Sequence, residues 1–155
     1  MRLSTKSRYA VTSLIDMVMH SSQGPVSLAD ISARQGISLS YLEQLFGKMR
    51  RHNLVVSTRG PGGGYNLFAE PGSVCIADII HAVDESLDVP NKNALPGSNN
   101  YEPCVAEQLW GELSVQINTF LSNISLEDMM QNEEVQMISR KRDLARENKI
   151  LNKLQ

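Results

Sequence analysis

The sequence predicts a mainly α-helical chain with one small two-stranded β ribbon, and three observations predict it. Apolar residues recur at helical spacing through most of residues 4–86 and again after residue 103. A single glycine-rich segment, Arg59-Gly60-Pro61-Gly62-Gly63-Gly64-Tyr65, is flanked by two short apolar runs at 54–56 and 65–68, as in a hairpin with a loose tip. A stretch poor in periodicity, residues 87–103, with three prolines, one glycine and four asparagines, separates the two helical parts.

Ser4 caps a first helix running to about His20, with Tyr9, Ala10, Leu14, Met17 and Val18 at helical spacing. Gly24-Pro25 ends the connection. Ser27 caps a second, short helix through Gln35, with Leu28, Ile31 and Ala33 turned inward and Asp30 placed as the acid of a capping box. Gly36 makes the turn and Ile37 packs it. Ser38 or Ser40 starts a third helix through about Arg51, whose buried face is Leu42, Leu45, Phe46 and Met49. Pro71-Gly72 closes the ribbon. Residues 74–86 read as a fourth helix burying Ile76, Ile79, Ile80 and Val83, with Cys75 as a buried thiol and His81 as an ordinary histidine.

A long helix follows from Cys104 to about Asn123. Val105, Leu109, Leu113, Ile117, Phe120, Leu121 and Ile124 form one apolar stripe along it, with Trp110 at its edge. One small domain cannot cover so long a stripe, so a second copy of the same helix is expected there, in a homodimer. Ser125 and Asp128 cap a further short helix. The tail from Ser139 is basic, with Leu144 and Leu151 one heptad apart, and reads as frayed helix or disorder. The resulting division is 1–86, 87–103, 104–138 and 139–155.

A short helix, a glycine turn and a second helix make a helix-turn-helix, and with a cationic ribbon behind it the unit is a winged helix that reads double-stranded DNA. The third helix leaves Ser38, Ser40, Tyr41, Glu43, Gln44, Lys48 and Arg51 off its apolar face. Gln44 can pair with adenine, Glu43 can accept from cytosine N4, and Ser38, Ser40 and Tyr41 can bind phosphate or base. Arg2, ahead of the first helix, and Arg59, Gly60, Gly62 and Gly63 at the ribbon tip complete the candidate DNA contacts, the glycines letting backbone pass close to a sugar-phosphate chain.

The net charge of −2 hides a segregation. Residues 1–67 hold eight basic and three acidic residues (+5), residues 68–138 one and twelve (−11), and residues 139–155 six and two (+4). A basic N-terminal half suits phosphate contacts, and an acidic middle is kept from the duplex.

Other chemistry is excluded by spacing. A phosphate-binding P-loop needs Gly-Lys and then Ser or Thr, whereas Gly64 is followed by Tyr65-Asn66; a dinucleotide fingerprint would need glycine at Tyr65 and a helix opening there. His20, His52 and His81 are scattered, and no paired carboxylates or activated nucleophile stand out, so an enzyme is not expected. Two cysteines make no disulfide framework. No apolar run is long enough to span a membrane and no signal peptide is evident, so the expected location is cytoplasmic.

The residues quoted also resemble a known family. Residues 1–11, residues 28–46, the wing 59–65, Ala82-Val83-Asp84-Glu85-Ser86 and Leu109-Trp110 are similar to the IscR family of bacterial iron–sulfur cluster regulators, over residues 1–130 or so. The resemblance implies a homodimeric winged-helix transcription factor, with the third helix in the major groove and Arg59 at the minor groove. It also implies a [2Fe–2S] cluster held by three cysteines and one histidine in the loop before the dimer helix. Here the matching positions are Lys92, Ser98, Cys104 and Glu107, so one ligand of four survives. No cluster of the usual kind is expected. The alternative is a redox sensor with a rearranged site, using Cys104 and Glu107 with Cys75, His81 or a partner-chain residue, or with Cys104 as an oxidisable thiol. In the family, the glutamate matching Glu43 disfavours one class of operator until cluster binding relieves the restriction. A chain that keeps Glu43 without the cluster ligands is expected to stay in the cluster-free DNA preference. A second alternative is an interaction protein that keeps the dimer helix without binding DNA.

Overall fold

The computed structural model describes residues 3–84 and 105–154. Arg2, Lys92, Ser98 and Cys104 lie outside them. The element order is α1 (Thr5–Met19), α2 (Leu28–Gln35), α3 (Leu39–Arg51), β1 (Val55–Thr58), β2 (Gly64–Leu67), α4 (Ile76–Val83), α5 (Val105–Ser122), α6 (Leu126–Gln131) and α7 (Glu133–Lys153). No helix among the described residues is long and apolar enough to cross a membrane.

Serine caps set the helix starts. The Ser4 hydroxyl accepts from the Ser7 amide at 3.1 Å, that of Ser27 from Asp30 at 3.2 Å, and that of Ser38 from Tyr41 at 3.2 Å, each satisfying an amide that has no partner within its helix. The Ser27 hydroxyl also donates to Asp30 Oδ2 at 2.8 Å, and that hydrogen bond, helped by the cationic Arg146, holds the Asp30 carboxyl below the usual range. Gly36 ends α2 in the left-handed region at φ 68°, which lets the chain turn sharply into α3.

The helix-turn-helix packs on α1 and α4 around Leu14, Met17, Ile31, Leu42, Phe46, Met49, Ile79, Ile80 and Val83, all essentially without solvent contact. Leu126 of α6 is buried in the same core. It is held there by two backbone hydrogen bonds between the α4 and α6 starts, Ile76 N–H to the Ile124 carbonyl at 2.9 Å and Leu126 N–H to the Val74 carbonyl at 2.8 Å.

The ribbon is antiparallel, pairing Val55 with Leu67, Val56 with Asn66, Ser57 with Tyr65 and Thr58 with Gly64. It is fastened to the body twice. Val26, just ahead of α2, exchanges backbone hydrogen bonds with Tyr65 at 3.0 and 2.8 Å. The Tyr65 ring meets Phe46 of α3 edge to face, with centroids 5.0 Å apart. Backbone and ring contacts thus join the wing to the start of α2 and to α3.

Several boundaries and placements differ from the sequence reading. Ala33 is exposed, because α2 is short and its inward stripe is used up by Leu28 and Ile31. The strands run 55–58 and 64–67, since pairing follows register rather than the apolar runs alone. Helix α4 starts at Ile76; residues 71–73 form a 3-10 turn, and Cys75 is the residue before the helix, half-buried rather than fully buried. The tail is helical over Glu133–Lys153, capped by Asn132, whose side chain accepts from the amides of Glu134 and Val135. Polar contacts to α1 and α2, invisible in a local reading, hold α7: His20 with Asp143 at 3.2 Å, Arg146 with Asp30 at 3.3 Å, and Arg142 with Gln35.

The α5 stripe divides. Leu121 and Ile124 pack against the core, and Ile117 is half-buried, whereas Leu109, Leu113, Phe120 and the neighbouring Trp110 are exposed. Val105 opens the helix.

Candidate nucleic-acid interface

Four features build the candidate site: the first turns of α1, the α2–α3 turn, the exposed face of α3 and the β1–β2 tip. At the start of α3, Ser38 is engaged as the cap and lies 3.3 Å from the Ser40 hydroxyl, which is exposed. Glu43, Gln44 and Arg51 are exposed on one side of the helix, as expected of groups that meet solvent or a groove. Two of the nominated residues are less free. Tyr41 is half-buried, its ring edge to face with Tyr9 of α1 at 5.9 Å, because position 41 borders the apolar stripe and α1 crosses there. Lys48 is half-buried and donates to the Val83 carbonyl at 3.3 Å, which ties α3 to the end of α4.

At the tip, Arg59 is exposed. Gly60 and Gly62 adopt positive φ, 99° and 75°, with open space where a side chain would be; they serve the turn and leave its outer surface clear. Gly63 and Gly64 have a different role. A Cβ on Gly63 would collide with the Thr58 carbonyl, and one on Gly64 with the Val26 carbonyl. These two glycines are required first by the protein's own backbone packing, where the wing meets its own strand and the start of α2. Glycine at 63 therefore does not by itself mark a point of DNA approach.

The structure adds residues that the sequence reading passed over. Lys6, in the first turn of α1, joins Tyr41, Gln44, Leu45, Lys48 and Val83 around a shallow depression of about 80 Å³. Its signal was only a basic residue in a basic half; the proximity to α3 is tertiary. Leu39, the first residue of α3, is exposed beside Ser40. An apolar side chain at the exposed start of such a helix can meet a thymine methyl.

Behind this surface lies a buried ion pair. Asp16 of α1 takes Arg34 of α2 in a fork, Nε at 3.0 Å to each carboxylate oxygen and a terminal guanidinium nitrogen at 2.7 Å, and accepts from Gln35 at 2.7 Å. It fixes α2 on α1 and so sets the pitch of the whole helix-turn-helix.

The donors for a cluster are poor. Among the described residues no group of three or more His, Cys, Asp and Glu is placed to hold a metal ion. Of the four loop positions, Glu107 is described: it is exposed in the first turn of α5. Lysine brings a cation and serine a weakly acidic hydroxyl where an iron–sulfur cluster needs thiolate or imidazole, so the donor set does not fit a [2Fe–2S] group. The substitute donors are engaged elsewhere. The Cys75 thiol donates to Asp78 Oδ2 at 2.9 Å, and burial, helped by that carboxylate, pushes its pKa up, away from the thiolate form. His81 Nε2 is 2.8 Å from Asn118 Oδ1 of α5.

Known proteins share this fold. The family model described as Rrf2, iron-dependent transcriptional regulator, matches residues 3–132. A putative HTH-type transcriptional regulator of Azotobacter vinelandii is 53% identical over 143 residues, 92% of this chain and 87% of that protein. The HTH-type transcriptional regulator IscR of Xenorhabdus nematophila is 50% identical over the same shares. Among solved structures, IscR from T. potens superposes with a TM-score of 0.72 at 37% identity, over 88% of this chain and 91% of that one. CymR, the global cysteine regulator of B. subtilis, superposes with a TM-score of 0.68 at 32% identity, over 84% and 96%. With a winged helix-turn-helix fold and relatives that are transcriptional regulators rather than enzymes, the chain belongs to the Rrf2 family of DNA-binding transcriptional regulators.

Proposed function

We propose that this regulator acts as a homodimer and recognises DNA without an iron–sulfur cluster. In this reading α3 enters the major groove by its N-terminal turn, presenting Leu39, Ser40, Glu43 and Gln44 to base edges, while Lys6 and Arg51 lie toward the phosphates and Arg59 reaches the minor groove. The observation that supports it most is the combination of an intact reading head with a loop whose donor set holds one thiol, Cys104, where four soft donors are needed. The exposed part of the α5 stripe supports the dimer, because a paired copy would cover it and set two recognition helices on successive half-sites.

Glu43 gives the proposal a sharper form. It is exposed on α3 and carries a charge that repels the acceptor edges of purines while suiting a cytosine amino group. Resemblance to the IscR family makes this glutamate the residue that disfavours one operator class in the absence of a cluster. A chain that keeps it and lacks the ligands stays with the other class whatever the iron supply. Anaerobic binding to duplexes of both classes tests this. Wild-type protein should prefer the second class, and Glu43→Ala should gain about 1–3 kcal/mol on the first while keeping the second. A wild-type preference for the first class would contradict the proposal.

A further inference from the structure

The family match ends at Asn132, one residue before α7 begins, so this helix and its charges lie outside the matched core. Arg142, Arg146, Lys149 and Lys153 stand at i, i+4, i+7 and i+11, which places them along one edge of the helix, with Asp143 and Glu147 on the neighbouring flank. The first two cations dock that edge on α2. Arg142 donates to Gln35 at the C-terminal end of α2, and Arg146 pairs with Asp30 in its first turn at 3.3 Å. Helix α7 therefore runs antiparallel to α2, and its last turns continue past the N-terminal end of α2.

That end is where the wing is rooted, through the Val26–Tyr65 bridge. In a helix-turn-helix the first of the two helices crosses the nucleic-acid backbone. Lys149 and Lys153 are exposed, and Lys153 lies roughly 10 Å beyond Arg146 at 1.5 Å per residue. Among the described residues neither lysine forms an ion pair. We propose that Lys149 and Lys153 form an additional phosphate-binding edge, which contacts the DNA backbone beside the helix-turn-helix and enlarges its electrostatic footprint. The arrangement explains why a basic helix is clamped onto α2 by its own cations: Arg142 and Arg146 fix the edge in place, and the two lysines are left to meet an anion. Charge complementarity and continuity with the reading surface favour DNA as that partner. The proposal rests on the DNA-binding reading above.

The test is the salt dependence of binding to a mixed-sequence duplex, for the wild-type chain and for a Lys149→Gln/Lys153→Gln variant. Glutamine keeps the helix propensity, and Arg142 and Arg146 keep the docking contacts, so circular dichroism should be unchanged. Each phosphate contact contributes about 0.9 to the slope of log K against log salt, so the slope should fall by roughly 1.8 per subunit, with sequence preference unaltered. A wild-type slope retained in the variant overturns the phosphate edge and leaves the DNA-binding reading standing. A wild-type chain that binds no duplex at low salt overturns both.

Discussion

Asp16→Ala should lower the stability of the protein by about 3–5 kcal/mol, a large share of what a domain of this size possesses. The Asp16 side chain is 1% exposed and that of Arg34 8%. Removing the carboxylate leaves a guanidinium out of water with no counter-charge, and it also strips Gln35 of its acceptor. The loss is of that size because of the orphaned charge, not because the intact pair is worth so much. A second substitution shows this. Arg34→Met in the Asp16→Ala background removes the uncompensated cation and should recover much of the stability, as replacement of a buried pair by apolar groups does elsewhere. Urea unfolding of the wild type and both variants measures it. A loss under about 1 kcal/mol for Asp16→Ala would mean that water reaches the pair. Because the pair joins α1 to α2, DNA binding should weaken in parallel with stability.

Leu113→Lys should turn the proposed dimer into a monomer that remains folded. Leu113 lies between Leu109 and Phe120 on the exposed part of the α5 stripe, and those neighbours are 62% and 66% exposed in the single chain. A charge placed there is solvated in the monomer and desolvated in the dimer, at each of two symmetry-related copies. At about 2 kcal/mol per copy the dimer Kd rises by roughly three orders of magnitude. Sedimentation velocity at micromolar concentration reads the change, and the variant monomer should keep its helical circular dichroism, since Leu113 is itself 38% exposed. A variant that sediments as the wild type does would place the dimer contact elsewhere.

The parts of the fold legible in the sequence are those written locally. Ser4, Ser27, Ser38 and Ser125 each act within three residues, so the helix starts they cap could be read directly. The buried face of α3 followed from its period. What could not be read depends on partners far along the chain. Tyr41 is held by Tyr9, Lys48 by the Val83 carbonyl, and Asp16 by a side chain one helix away, so the periodicity around each says little about its burial. Gly63 and Gly64 look like a flexible tip in sequence, yet the backbone of Thr58 and Val26 decides their identity. The tail shows the same limit. Its weak apolar pattern suggests fraying, while contacts to His20, Asp30 and Gln35 give it a surface to lie on. The winged helix-turn-helix was legible as a set because its helices and ribbon are consecutive in the chain. The nearness of Lys6 to α3 was not, since α1 brings it there only on folding.

The central claim is that this regulator works without an iron–sulfur cluster, and the most direct test is to assay iron and acid-labile sulfide on protein purified and kept without oxygen. The account predicts that both are absent while specific DNA binding is retained. Iron and sulfide near two per chain would contradict it, and would make Cys104 and Glu107 the first residues to substitute.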